Sequence, residues 1–215
     1  MSLSIKNLSI LTNHGVPLLT DYSFSIDKGE VLSVMGPSGC GKSTLLNVIA
    51  GHLSCDFSYS GEITVNGKRV NKTPSHERKV GILFQEDLLF PHLCIWENLA
   101  FALPNKVKGI QRKKEAMQAL KNVQLEQLSD AFPNQLSGGQ RARISLVRML
   151  LAKPDVALLD EPFSKLDKAL RIQFRDWVFE QLAEADIPTL LVTHDSDDIP
   201  KESQQFFWPM EINHA

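Results

Sequence analysis

The sequence predicts an α/β fold: a mainly parallel core sheet, an antiparallel β part near the N-terminus, and a helical insertion. Three observations predict it. Short, nearly continuous apolar runs alternate with stretches of helical periodicity, the pattern of strands buried on both faces between crossover helices. Upstream of these runs the apolar residues fall on every second position, as in a half-buried antiparallel strand. Between about residues 86 and 135 the strand alternation disappears, and that stretch reads as mainly helical.

The N-terminal alternation is carried by Leu3 and Ile5, then Leu8 and Ile10, then Tyr22, Phe24 and Ile26 interleaved with Ser23 and Ser25. Asp27-Lys28-Gly29-Glu30 supplies turn chemistry before Val31 to Met35, an apolar strand. Past Gly36 the pattern turns helical through Leu45, Leu46, Val48 and Ile49, with Gly51 placed to cap the C-terminus. Ile63 and Val65 run into the hairpin signal Asn66-Gly67, and Val80 to Phe84 is another buried strand. Ser137 can cap a helix reaching Lys153, where Pro154 stops it. Val156 to Leu159 is a short strand. Leu170, Phe174, Trp177, Val178 and Leu182 mark one helix face that ends before Pro188, and Leu190 to Thr193 is a last core strand. Boundaries are expected just after Gln85 and near Leu136. Residues 1–85 and 136–215 then form a core and about 86–135 a helical subdomain, all within one domain.

Composition narrows the function classes. Lys and Arg total 23 against 25 Asp and Glu, a net charge of −2, so no pervasive basic field points to nucleic acid, and none is expected as a partner. Cys40, Cys55 and Cys94 have no CxxC spacing and read as free thiols in a reducing compartment. The N-terminus lacks a signal-peptide pattern, and no apolar run approaches the roughly 20 residues that span a bilayer. A soluble, cytoplasmic protein is expected, with any membrane role exercised through a partner.

Gly36-Pro37-Ser38-Gly39-Cys40-Gly41-Lys42-Ser43 matches GxxxxGK[ST] between a predicted strand and a predicted helix. A polyphosphate needs several backbone N–H groups aimed inward, which forces conformations that glycine tolerates and keeps side chains out of the way. The helix starting near Lys42 adds unpaired N–H groups and the positive end of its dipole. Lys42 would reach the β- and γ-phosphates of ATP, and the Ser43 hydroxyl, followed by Thr44, would ligate Mg²⁺. Cys40, with no local histidine partner, reads as a spectator thiol in the loop.

Val156-Ala157-Leu158-Leu159-Asp160-Glu161 is an apolar strand ending in two acids, at the sheet edge where ligands bind. Asp160 would hold Mg²⁺, and Glu161 would orient or deprotonate the attacking water. Acids after strands are also common helix caps, so the phosphate loop upstream is what favours the catalytic reading.

Leu136-Ser137-Gly138-Gly139-Gln140 reads as a second anion site, a serine and two glycine N–H groups at a helix N-terminus; an ordinary helix cap is the plainer alternative. With the two earlier motifs it resembles the ABC ATPases, and the resemblance spans essentially residues 1 to 195. It implies a P-loop ABC ATPase domain in which each signature, Ser137 to Gln140, covers the ATP held by the other subunit of a head-to-tail dimer. Gln85 matches the glutamine that senses the γ-phosphate and the metal, Ser164-Lys165-Leu166-Asp167 the loop that crosses the dimer interface, and His194 the switch histidine. The resemblance thus implies a catalytic set of Lys42, Gln85, Glu161 and His194, and metal contacts at Ser43, Gln85 and Asp160.

Two departures stand out. The family stacks adenine on an aromatic residue in the first hairpin, but residues 11–16 offer only His14 as a planar ring, and Lys165 replaces a small residue. Residues 88–101 and Phe132-Pro133-Asn134-Gln135 resemble bacterial importer ATPases. That likeness implies polytopic permease partners, a second ATPase copy, attachment to the inner face of the membrane and, with them, a solute-binding protein. Phe90, Leu93 and Trp96 are candidate permease contacts, or else pack inside the helical insertion. The basic run Lys106, Lys108, Arg112, Lys113 and Lys114 reads as a solvated helix face, with lipid headgroups as the minor alternative. No C-terminal regulatory domain is expected, and Gln205-Phe206-Phe207-Trp208 is expected to close over the core. An exporter is the nearest alternative. A soluble relative acting on nucleic acid or ribosomes would carry long heptads, zinc-spaced cysteines or two ATPase halves, and a single-site kinase has no use for residues 137–140.

Overall fold

The computed structural model describes residues 1–201 and 203–208. Two sheets form its frame. Strands β1 (Leu3–Thr12), β2 (Pro17–Ile26), β4 (Phe57–Val65) and β5 (Lys68–Arg69) make an antiparallel sheet in the order β2-β1-β4-β5. Leu3, Ile5, Leu8 and Ile10 are buried on its inner face, although the alternation shifts phase between Ile5 and Leu8, where Asn7 adopts φ 50° and bulges the strand.

Strands β3 (Val31–Met35), β6 (Val80–Leu83), β7 (Val156–Asp160), β8 (Thr189–Thr193) and β9 (Gln204–Phe207) form a parallel sheet in the order β6-β7-β8-β3-β9. Every residue of β7 and β8 is buried, as their uninterrupted apolar sequences require of central parallel strands. Because all five strands run the same way, all their C-terminal ends open on one edge.

Helix α1 (Lys42–Ala50) follows β3 and ends at Gly51, whose φ of 82° makes the left-handed cap. Arg78, buried beside it, donates to the carbonyls of Val48 and Ile49 at 3.0 and 2.8 Å and so neutralises the end of the helix dipole. Helices α2 (Ile95–Ala102) and α3 (Ile110–Asn122) lie between β6 and α4 (Gly138–Leu151); α5 (Lys168–Glu184) joins β7 to β8. One apolar cluster packs α2 to α5 against one face of the parallel sheet, and a second packs α1 and the antiparallel sheet against the other.

Some expectations need correcting. The strand from Val80 stops at Leu83, before Phe84, and α4 stops at Leu151, two residues short of Lys153, which takes φ 51°. The C-terminal aromatic segment does close over the core, with Trp208 fully buried and Phe206 packed on Tyr22 at 4.1 Å between ring centroids, but it does so as strand β9 paired with β3, and Phe207 is 67% exposed. Arg112 is not part of a solvated basic face, because its guanidinium donates to the carbonyls of Val107 and Leu103, both at 2.9 Å, and ties the loop after α2.

Candidate active site

Four of the five parallel strands deliver a predicted site segment to the same edge, side by side: Gln85 after β6, Asp160 and Glu161 at the end of β7, His194 after β8, and the loop 36–41 after β3. Ser38, Gly39, Gly41, Lys42, Ser43, Thr44, Gln85, Asp160 and Glu161 line a single cavity of about 270 Å³.

The glycine loop turns through left-handed conformations at Gly39 (φ 80°) and Gly41 (φ 107°). A Cβ on Gly39 would meet nothing within 4 Å, so that residue faces the cavity through bare backbone. Lys42 is only 5% exposed, and its ammonium donates to the carbonyls of Gly36 at 2.9 Å and Pro37 at 2.7 Å, bracing the loop from within. Gly36, Pro37 and Cys40 do not line the cavity. Gly36 is needed for packing instead: its Cβ would stand 2.8 Å from Cβ of Trp208 and 3.2 Å from the Cys40 sulfur.

Ser43, Asp160 and Gln85 bring a hydroxyl, a carboxylate and an amide to one cavity, and such an all-oxygen donor set fits a hard cation such as Mg²⁺. Burial pushes the Asp160 carboxyl above the ordinary aspartate range; the hydrogen bond from Ser43 and the charge of Lys42 oppose the shift, and Glu161 beside it adds to it. Next along the edge, Oε1 of Glu161 lies 2.8 Å from Nδ1 of His194. Glu161 takes φ 48°, a left-handed conformation uncommon outside glycine, so its backbone is strained where the carboxylate is aimed.

The family comparison decides what this architecture is. The sequence matches the ABC transporter family over residues 19–164, which is well over half of the chain. The chain belongs to the ABC transporter family. Over 94% of its length this ABC protein is 46% identical to an uncharacterized ABC transporter ATP-binding protein, YnjD, of Escherichia coli (strain K12), and it covers 92% of that relative. It is 40% identical, over 92% of its length, to the sulfate/thiosulfate import ATP-binding protein CysA of Pseudomonas aeruginosa, of which it spans only 60%. Among solved structures it resembles the ATP-binding cassette MJ0796 in a dimeric post-hydrolysis state bound to ADP and Pi, with a TM-score of 0.78 at 32% identity, covering 91% of this chain and 89% of that one. The chain is an ABC ATPase domain.

Within this ABC chain the signature residues stand apart from the cavity, none of them lining it. Ser137 is the N-cap of α4: its Oγ accepts from Gln140 N at 3.2 Å, and Gln140 Oε1 accepts from Ser137 N at 2.8 Å. The cap alternative is therefore realised, and it leaves the glycines to be explained. Gly139 is required by packing, because its Cβ would come within 3.2 Å of Leu166 and 3.4 Å of the Lys165 carbonyl. Gly138 is not, since its Cβ would meet only Arg141, at 3.9 Å.

Two residues, Asp87 and Arg171, escaped the sequence reading, and a third, Trp208, was placed over the core without its link to the loop. Asp87 accepts from Arg141 Nε at 3.0 Å and from Lys165 Nζ at 3.2 Å. Arg171 on α5 binds Asp195 at 2.8 Å and the buried Asp198 at 2.6 Å, holding the segment that follows His194. Trp208 packs beneath the phosphate loop, 3.2 Å from where a Cβ on Gly41 would lie, and its N–H donates to Met35 O at 2.6 Å. The partners of Asp87 and Arg171 lie too far away in sequence for any local pattern.

Proposed function

We propose that the chain is the ATP-hydrolysing motor subunit of a membrane importer and works as one of two head-to-tail copies. The observation that carries the paired reading is Gly138. Gly138 is the first residue of α4, and neither backbone conformation nor packing in this chain demands a glycine there. An N-terminal helix turn kept bare on its outer side suits close approach by the phosphates of a nucleotide held on another copy.

In this reading the triphosphate lies along the loop 36–43, with Lys42 and the inward N–H groups balancing its charge, and Ser43, Asp160 and Gln85 would hold Mg²⁺. The metal supplies charge neutralisation at the phosphate oxygens. Glu161 accepts a proton from water as its oxygen bonds to the γ-phosphorus; the bond to the bridging β–γ oxygen breaks, giving ADP and phosphate. His194, hydrogen-bonded to Glu161, would contact the γ-phosphate through its other ring nitrogen. Catalysis is positioning and electrostatics. ATP favours the closed pair, hydrolysis permits reopening, and the difference in affinity drives the partner between two states.

The membrane partner is assigned to a cavity of about 360 Å³ lined by Leu88, Phe90, Phe101, Arg148 and Met149, just past Gln85. Leu88 and Phe101 are 53% and 64% exposed, large apolar surface of the kind that marks an interaction site. Of the three contacts expected here only Phe90 lines it. Trp96 packs on the helical layer under Lys113, whose ammonium sits 4.6 Å from the ring centroid. The likeness to an import ATP-binding protein favours import over export.

Cell fractionation tests this function. The chain should sediment with a polytopic membrane protein, and Phe101→Glu should release it to the soluble fraction with ATP binding intact. A parent chain found on ribosomes would overturn the proposal.

A further inference from the structure

Lys165 lies on the segment that follows the acidic end of β7, and its ion-pair partner is a carboxylate far away in sequence. Oδ1 of Asp87 accepts from Lys165 Nζ at 3.2 Å while Oδ2 accepts from Arg141 Nε at 3.0 Å, so one carboxylate is shared by two cations. The Asp87 main-chain oxygen is used as well, accepting from Ser145 Oγ and from an Arg148 nitrogen at 3.5 Å. Arg141 also donates to Leu136 O at 2.7 Å, next to Ser137. Asp87 is two residues from Gln85, Lys165 four from Glu161, and Arg141 and Ser145 lie on the helix that Ser137 caps. The side chains of Gln85, Asp87, Glu161, Ser164 and Lys165 border a gap of about 10 Å³, too small for more than one water, so these segments move against each other only by breaking those bonds.

We propose that Asp87 is a positioning residue for hydrolysis: it fixes Gln85 relative to Glu161 through Lys165 and relative to the Ser137 helix through Arg141. This rests on Gln85 and Glu161 serving the nucleotide cavity as assigned above. The two arms differ in kind. The Asp87 side chain is 13% exposed, and those of Lys165 and Arg141 are 36% and 35%, so ions reach both arms alike and the difference lies in anchoring. Arg141 is held a second time, by Leu136 O, and sets the resting place of the segment, whereas Lys165 Nζ has Asp87 as its one hydrogen-bond partner among the described residues. The Lys165 arm is the releasable one and makes turnover sensitive to ionic strength. Neither arm touches the loop 36–43, which lines the cavity with most of its residues, so nucleotide affinity depends little on either.

The test is steady-state ATP hydrolysis by the full chain at rising salt, with affinity for a fluorescent ATP analogue measured in parallel. Asp87→Asn should lower kcat about tenfold, the scale of a modest misplacement of catalytic groups. KM and analogue affinity should stay within about twofold. Lys165→Met lies at the surface and leaves the core alone, so it serves where Asp87→Asn fails to fold. It should lower kcat at low salt and flatten the salt dependence, Lys165→Arg should restore both, and Lys165→Met should add nothing to Asp87→Asn. Parental kcat and salt profile in Lys165→Met, or an Asp87→Asn variant that loses affinity while keeping kcat, would overturn the proposal. A parent chain that binds and hydrolyses no ATP would instead overturn the site assignment on which it rests.

Discussion

The Glu161 carboxylate and the His194 ring meet at 2.8 Å across the ends of two adjacent parallel strands, so the proposed base and the proposed switch are held by one hydrogen bond. Each orients the other. Glu161→Gln should therefore cut hydrolysis by about 10² or more while ATP remains bound, because the group that takes the proton is gone but the phosphate contacts persist. His194→Ala should lower kcat with a smaller effect on KM, since Glu161 then loses its orienting partner. Steady-state kinetics with parallel ATP-binding titrations checks both; parental turnover in Glu161→Gln would remove it as the base.

Asp160 gives a pH prediction. Burial raises its folded pKa above the unfolded value, so between the two values the folded chain binds more protons than the unfolded one. Stability from this group therefore falls as pH rises from the ordinary aspartate range through the raised folded value, and the cost persists at neutral pH. Asp160→Asn should raise Tm at pH 7 without nucleotide and show no such gain at low pH, where the parent carboxyl is protonated. The same variant should lose most of the stabilisation conferred by MgATP. Thermal melts at several pH values, with and without MgATP, read out both effects.

Lys42 and Cys40 test the loop. Lys42→Ala removes the ammonium that braces Gly36 and Pro37, and should abolish tight ATP binding in an equilibrium titration. The Cys40 thiol is 8% exposed and lies 3.8 Å from Lys42 Nζ, so thiol alkylation should be slow and MgATP should slow it further. Equal labelling rates with and without nucleotide would separate Cys40 from the nucleotide site. Cys94, as little exposed as Cys40 but placed at the N-cap of α2, is the internal control.

Most of the site was legible because its chemistry is local in sequence. The loop 36–43 needs glycines and a helix start, Asp160 and Glu161 need one strand end, and His194 needs another; each is readable from a handful of adjacent residues. The core strands β3, β7 and β8 were legible for a related reason, since burial on both faces leaves nearly continuous apolar runs. Strand β9 was not. Gln204-Gln205-Phe206-Phe207 is a sheet edge, half exposed, and without alternation or a continuous apolar run it resembles a loop. Asp87 and Arg171 escaped because their roles come from partners brought together only by the fold, 78 residues apart for Asp87 and Lys165 and 27 for Arg171 and Asp198. Gly138 and Gly139 looked equivalent in sequence, and packing shows one is required inside the chain and the other is not.

Trp208 ties the C-terminal strand to the loop. It is 3% exposed and fills the space under Gly36 and Gly41. Trp208→Ala should cost about 3 kcal/mol or more in a denaturant titration, the scale of emptying a buried aromatic site, and should weaken ATP binding by loosening the loop. Trp208→Phe should recover much of both.

The account turns on a nucleotide site completed by a second copy, and light scattering of full-length Glu161→Gln with ATP and Mg²⁺ tests that most directly. The mass should double with ATP but not with ADP. Adding Gly138→Ala, which the chain itself accommodates without a clash, should return it to that of a single chain. A mass that stays single in Glu161→Gln although ATP is bound, or one that doubles undiminished with Gly138→Ala present, would contradict the shared site.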